Sequence, residues 1–195
     1  MLEALIRADV WLFYLINNGM QNPVFDVVMP IITNKYAWFP VFLVLIVGLL
    51  WKGGYKGRMV ILLTIPVILL SDQVSASLIK PWIGRLRPCV ELDHVNALLG
   101  IKKSLSFPSS HAANSFAAAT LFSYFYPARK IILYSIAVVI CYSRVYLGVH
   151  YPLDVTVGAV LGVLCAKVVY HSYLWIEKKI RTRNNNHLIE EKAEG

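Results

Sequence analysis

Five apolar runs in this chain reach or approach the length of a bilayer crossing. Arg58 to Ile79 (RMVILLTIPVILLSDQVSASLI) and Leu153 to Ile176 (LDVTVGAVLGVLCAKVVYHSYLWI) both meet the roughly 20 residues needed to cover about 30 Å at 1.5 Å per residue. Ser110 to Tyr126 and Lys130 to Leu147 are tighter, and the short link at Pro127 to Arg129 makes them an antiparallel helical hairpin. Tyr36 to Trp51 completes the set, with Trp38 and Trp51 placed like aromatic anchors at two interfaces. Leu2 to Asn17 and Pro23 to Thr33 mix charge with apolar positions such as Leu5, Leu12, Leu15 and Ile16. They read as interfacial helices, the first alternatively as a sixth span. The expected fold is therefore all-α, a polytopic transmembrane bundle of five or six spans. It divides into N-terminal interfacial helices over 1–35, a membrane-embedded bundle over 36–180 and a disordered polar tail over 181–195.

Composition supports the membrane reading. Hydrophobic residues make up 57% and charged residues 15% of the 195 residues, against about 45–50% and 25% in soluble globular domains. One small core cannot bury that excess, so the outside of the chain needs an apolar solvent. The formal net charge of +8 does not point to nucleic acid, because the basic residues gather near span ends, as the positive-inside rule describes. Cys89, Cys141 and Cys165 form no CxxC or Cys/His cluster, so neither zinc nor a disulfide framework is expected. Met1 to Ile16 carries Glu3, Arg7 and Asp9 without a signal-peptide pattern, and insertion is expected to be driven by the spans themselves.

Counting spans from Tyr36 puts the Trp51 to Arg58 turn, the Pro127 to Lys130 turn and the C-terminal tail on one side, with ten basic residues, among them Lys52, Arg129 and Lys192. The loops at 80–109 and 148–152 lie on the other side with eight, which include Arg7, Lys35, Lys80, Arg87 and Arg144. Setting aside three of those eight as anion ligands leaves ten against five, so the first side is expected to be cytoplasmic and the loops to face out.

Three polar motifs share the loop side: KPWIGRLRP at Lys80 to Pro88, FPSSH at Phe107 to His111, and SRVYLGVHYPLD at Ser143 to Asp154. Pro108-Ser109-Ser110-His111 reads as a helix start, where free backbone N–H groups and the helix dipole favour an anion. Tyr151-Pro152-Leu153-Asp154 is a second helix start. Asp154 stands four residues after His150, a distance at which a carboxylate can fix the imidazole tautomer and raise the nucleophilicity of the other nitrogen. Lys80, Arg87 and Arg144 bring cations from three segments, and arginine offers a planar fork for phosphate oxygens. Two histidines, three cations and two helix N-termini describe a phosphoryl-transfer site. No carboxylate pair is left over to hold magnesium, so no metal and no cofactor is expected.

These motifs resemble those of the type-2 phosphatidate phosphatase family of membrane lipid phosphatases, whose catalytic pattern is shared with vanadium-dependent haloperoxidases. The family pattern, K-x6-RP, PSGH and SR-x5-H-x3-D, is met by Lys80, Arg87 and Pro88; by Pro108, Ser109 and His111; and by Ser143, Arg144, His150 and Asp154. Ser110 replaces the usual glycine, at a position that mainly contributes a backbone N–H. The resemblance implies that His150 attacks phosphorus and forms a phosphohistidine, that Asp154 orients it, and that His111 protonates the leaving group. Lys80, Arg87, Ser109, Ser110 and Arg144 would hold the phosphate oxygens. It also implies a lipid phosphate substrate in the bacterial cytoplasmic (inner) membrane, with the site facing the periplasm or outside. Compact members act on lipid A 1-phosphate, undecaprenyl pyrophosphate or phosphatidylglycerol phosphate, and the short form here leans to the first. Oligomeric state is not implied.

Other readings remain at this stage. Arg85 lies outside the family pattern and is expected to make a surface or headgroup contact; Lys102 and Lys103 either recognise a headgroup or solvate the loop. Asp72 and Lys167 sit inside apolar runs and are expected to make buried interhelical contacts or, for Lys167, to snorkel. They also motivate a transporter as a remote alternative, beside a vanadate-dependent haloperoxidase. Gly158 and Gly162 form a GxxxG expected to pack helices within the bundle.

Overall fold

The computed structural model describes the backbone of residues 2–194 and the side chains of residues 3–34 and 36–186. The side chains of Lys35 and Lys192, used in the charge count, lie outside the described residues. Among the described residues every regular element is helical: α1 (Leu2–Asn17), α2 (Pro23–Thr33), α3 (Lys35–Lys52), α4 (Gly54–Asp72), α5 (Lys80–Ile83), α6 (Pro88–Glu91), α7 (Ser110–Phe125), α8 (Lys130–Tyr146) and α9 (Pro152–Glu194). A π-helical run, Gln73–Ile79, joins α4 to α5. Such wider turns are rare and concentrate at functional sites; this one ends on Lys80.

Two helical stretches, Gly54–Glu91 and Pro152–Asn186, are long and apolar enough to cross a membrane. A third arises if Pro23–Thr33 and Tyr36–Lys52, bent at 53°, count as one span. Length and composition thus mark two or three crossings where the sequence pattern suggested five or six. The difference comes from α7 and α8, which have 16 and 17 residues, short of the roughly 20 of an upright crossing. Helix α7 lies against α4, α8 and α9, so it is covered by protein rather than by lipid. The apolar surface is elsewhere: Val41 through Val47 of α3 are all exposed, and Trp51 and Trp82 are 80% and 83% exposed. A second difference is the C-terminal segment. Helix α9 continues through 181–194 instead of ending in a disordered tail, because extending a helix already nucleated by packing costs little per residue.

The centre of the fold is the contact between α7 and α9. Helix α7 offers alanines, with Ala112, Ala113 and Ala117 fully buried, and α9 offers glycines. A Cβ at Gly158 would stand 2.5 Å from the Ser109 carbonyl oxygen, and one at Gly162 would overlap the Ala113 carbonyl oxygen. The GxxxG is therefore an internal helix contact. One core cluster gathers Val60, Leu63 and Val67 of α4 with Ala117, Leu121 and Ala166; another gathers Phe13 of α1 with Ala112, Cys141, Val145, Tyr151 and Val155. All three cysteines are free and buried.

Helices α1 and α2 are bound to this core by polar contacts as well as apolar ones. The buried Asn17 amide donates to the carbonyls of Tyr146 (2.7 Å) and Asn96 (3.1 Å) and accepts from the Asn96 N–H (2.9 Å). Tyr146 donates to Asp26 at 2.6 Å. Gly148 follows α8 at φ +73° with Val95 and Asn96 against it, a left-handed turn that glycine makes without strain. It aims the chain back towards His150.

Leucine at Gly162 is expected to lose the close α7–α9 approach and cost at least about 1–3 kcal/mol. Leucine at Gly48, which has nothing within 4 Å, serves as the control. Thermal unfolding in detergent should show a clear fall in Tm for Gly162→Leu and none for Gly48→Leu; equal stabilities would contradict the packing account.

Candidate active site

The packed N-termini of α7 and α9 create the site. Ser109 caps α7, its Oγ accepting from Ala112 N at 3.5 Å, and its own N–H donates to the Asp154 carbonyl at 3.0 Å. This backbone bond places the FPSSH segment beside the first turn of α9. On the other flank, Ser75 of the π-helical run donates to Ser110 Oγ at 3.1 Å. The first N–H groups of α7 have no partners within the helix and point, with its dipole, towards this end.

His150 is 1% exposed and sits between a cation and a carboxylate. Arg87 Nη1 lies 3.1 Å from His150 Nε2. Guanidinium can only donate, so Nε2 is the acceptor and the proton of the neutral ring is assigned to Nδ1. That N–H faces Asp154 Oδ2 at 3.5 Å. The separation is long for a hydrogen bond, and contacts of this type tighten when substrate is bound. Burial, then the positive charges of Arg87, Arg144 and Lys80 and lastly His111, hold the His150 imidazole well below the usual histidine range. His111 is exposed, so the two histidines differ in access as well as in neighbours.

The cations are fixed by neutral groups. Arg87 donates through Nε and Nη2 to Ser104 and through Nη1 to the Val149 carbonyl at 2.8 Å. Arg144 donates to Thr33 Oγ1 at 2.6 Å, while its Nε is buried without a partner. Both arginines are 7% exposed, and among the described residues neither pairs with a carboxylate. Asp154 is held otherwise. Its Oδ2 accepts from Tyr151 N at 2.9 Å and its Oδ1 from Arg85 Nη1 at 2.9 Å.

A family model described as PAP2 superfamily matches residues 61–178. The chain belongs to the PAP2 superfamily. It is 32% identical over 170 residues to a lipid A 4'-phosphatase of Bacteroides thetaiotaomicron, covering 83% of this chain and 75% of the relative. It is also 32% identical over 164 residues to an undecaprenyl-diphosphatase of Sulfolobus acidocaldarius, covering 82% and 76%. Among solved structures it resembles LpxE of Aquifex aeolicus, with a TM-score of 0.68 and 32% identity over 83% of this chain and 94% of the other. The first transmembrane PAP2-type phosphatidylglycerolphosphate phosphatase of Bacillus subtilis follows at a TM-score of 0.64 and 28% identity, covering 89% and 88%. The protein is an integral membrane lipid phosphatase of the PAP2 type, a phosphoric ester hydrolase.

All eight residues singled out from the sequence, Lys80, Arg87, Ser109, Ser110, His111, Arg144, His150 and Asp154, come together at this end of the PAP2 bundle. Arg85 corrects the sequence reading. It is an ion-pair partner of both Asp154 and Asp9, and its guanidinium carbon lies 3.7 Å from the centre of the Tyr151 ring. Asp9, Thr33 and Ser104 were not anticipated. For Asp9 a signal existed, since a carboxylate within an apolar helix needs a partner. Lys102, Lys103, Asp72 and Lys167 are exposed, so the last two make no buried interhelical contact. No cluster of three or more His, Cys, Asp or Glu suited to a metal is found among the described residues.

The unpaired guanidinium groups are expected to make the protein an anion binder. Orthovanadate or inorganic phosphate should raise the Tm of the wild type, with about 2.7 kcal/mol of stabilisation at one hundred times Kd. Arg87→Met and Arg144→Met should each lose most of that shift; a shift surviving both would locate the anion elsewhere.

Proposed function

We propose that this phosphatase removes a phosphate group from a lipid A type headgroup through a phosphohistidine on His150. The observation that carries the reading is the pair of buried arginines, Arg87 and Arg144, without a carboxylate among the described residues, Arg87 standing against the Nε2 of a neutral buried histidine. Buried guanidinium is costly unless a counter-ion is supplied, and a phosphate oxygen pair fits its fork.

Chemistry follows from the geometry. Arg87 and Arg144, with Lys80 and the first N–H groups of α7, receive the nonbridging oxygens of the substrate phosphate. Ser109 and Ser110 close the same cradle, and charge gained by those oxygens in the transition state is stabilised there. His150 Nε2 attacks phosphorus while the bond to the lipid oxygen breaks, and the positive charge developing on the ring is stabilised by Asp154 facing Nδ1–H. His111 at the open side gives its proton to the departing lipid alkoxide, then takes one from the water that cleaves the N–P bond. The products are dephosphorylated lipid and inorganic phosphate. No metal enters this scheme.

Names of the relatives support lipid A as the substrate class and favour its 4'-phosphate over the 1-phosphate suggested by compact size. The relative named undecaprenyl-diphosphatase supports the second reading, a polyprenyl pyrophosphate. Fewer than twenty residues separate Pro88 from Pro108, too few for a separate domain, so the lipid enters sideways from the bilayer. We place the site on the outer face of a bacterial inner membrane, in a bundle of five spans in which α7 crosses as a short protein-covered helix and α8 as a short helix with an exposed apolar side that includes Ile131, Ile132 and Val138.

Phosphate release from lipid A 1-phosphate, lipid A 4'-phosphate, undecaprenyl pyrophosphate, phosphatidylglycerol phosphate and a soluble aryl phosphate, each with chelator present, tests this reading. Release should be fastest from a lipid A phosphate and unaffected by chelator. His150→Ala should lose about a thousandfold or more, and His111→Ala about 10²–10⁴-fold. Retained activity in His150→Ala would sink the mechanism, loss on chelation the metal-free step, and equal rates on the soluble ester the lateral entry.

The pH profile supplies an independent check. The nucleophile must be neutral, and the folded-state pKa of His150 is depressed, so protonation sets in only at more acid pH than for a free imidazole. The acid limb of kcat/KM, which reports the free enzyme, should lie below about pH 6.5. The limb of kcat should lie higher, because bound phosphate offsets the cations that lower the pKa.

A further inference from the structure

Helix α1 contributes a carboxylate to the active end of the molecule, and nothing in the proposed chemistry has used it. Asp9 is 6% exposed. Its Oδ2 accepts from Arg85 Nη2 at 2.7 Å, and its Oδ1 accepts from Leu153 N, in the first turn of α9, at 2.8 Å. The other arm of the same guanidinium, Nη1, reaches Asp154 Oδ1 at 2.9 Å. Below it lies the ring of Tyr151, whose hydroxyl donates to Glu91 at 2.8 Å. A continuous chain therefore runs Asp9, Arg85, Asp154, His150.

We infer that Asp9 is a positioning residue for hydrolysis, acting through Arg85 on Asp154. The inference rests on the proposed role of His150 as nucleophile with Asp154 behind it. Arg85 facing Asp154 alone would form a neutral pair, and its full charge would oppose the carboxylate's effect on the ring. Divided between two carboxylates, one guanidinium leaves a net negative charge on the group behind His150. It also fixes the rotation of the Asp154 carboxylate: Oδ1 is taken by Arg85, which leaves Oδ2 for Tyr151 N and for His150 Nδ1. The positive charge that develops on the ring during attack then meets an oriented, anionic partner. A purely structural pin between α1 and α9 would need only the acceptor for Leu153 N–H, not the charge.

That distinction defines the experiment. Asp9→Asn retains an oxygen for Leu153 N–H and loses the charge facing Arg85. On the best lipid substrate, kcat should fall about tenfold to a hundredfold with KM changed less than about twofold, as for other groups that act behind a reacting residue. Asp9→Glu should recover most of the loss. In an Asp154→Asn background Asp9→Asn should have no further effect, since the two act in series. Wild-type kcat in Asp9→Asn, a change confined to KM, or losses that multiply in the double variant would each overturn the inference. Should Asp9→Asn not be recovered folded, Arg85→Lys reads the same chain, because an ammonium cannot span both carboxylates in a planar fork. A drop in kcat at constant KM is expected there too, and wild-type kcat overturns the inference. His150→Ala run alongside separates the two levels: an active His150→Ala removes the underlying mechanism, whereas an inactive one beside a fully active Asp9→Asn removes only the role of Asp9.

Discussion

The close approach of α7 and α9 is the contact on which the site depends. Without side chains at Gly158 and Gly162, the backbone of α9 comes to rest on Ser109, Ala112 and Ala113. The Ser109 N–H then reaches the Asp154 carbonyl at 3.0 Å. One packing decision thus aligns two helix N-termini that lie more than forty residues apart in the chain. It places the dipole end of α7 opposite the histidine that precedes α9. Any enlargement at this seam would separate the start of α7 from His150 and Asp154 before it disturbed either one locally.

Much of this was legible from residue order. The limits of α1 and α2 and the start of α7 fall where charge, proline and capping serine place them. The eight candidate residues are announced by three motifs, each at the end of an apolar run, and the fold brings them to one end of the bundle. The rest was hidden for identifiable reasons. Arg85 looked like surplus charge, since its value depends on two acceptors 69 and 76 residues away. Thr33 and Ser104 are short polar residues whose role is only to receive a guanidinium N–H, a task that leaves no periodic trace. Length and composition alone mark fewer crossings than the sequence pattern does, because a short helix covered by protein, such as α7, can be as apolar as one covered by lipid. The Gly158–Gly162 spacing was informative for the opposite reason: a missing side chain has few uses in a helix other than close approach.

The N-terminal helices acquire a different meaning in this light. The pattern alone reads α1 and α2 as interfacial helices, the first alternatively as a sixth span. In the fold they supply Asp9 to Arg85, Asn17 to the segment around Tyr146 and Asn96, and Thr33 to Arg144. These contacts end on Arg85, which pairs with Asp154, on Arg144, and on the backbone of Tyr146 and Asn96. The active end is thus braced from outside the three motifs by Asp9 and Asn17 of α1 and Thr33 of α2, and shifts of these helices would be felt as changes in orientation rather than as loss of a ligand.

Charge explains why such bracing is needed. Arg87 and Arg144 are both buried, with no carboxylate against them among the described residues, an arrangement that destabilises the protein and would relax if either side chain could turn away. Ser104, the Val149 carbonyl and Thr33 prevent that by offering neutral acceptors, which satisfy N–H groups without cancelling charge. A carboxylate in the same place would stabilise the fold and occupy the cradle. The same field keeps the His150 ring neutral, with Nε2 unprotonated and accepting from Arg87. The negative groups, Asp9 and Asp154, are shared with Arg85, and Asp154 faces the Nδ1 side of the ring, away from Arg87 at Nε2. Stability is lower than the fold could reach with its charges paired, and the difference is retained as affinity for an anion beside His150.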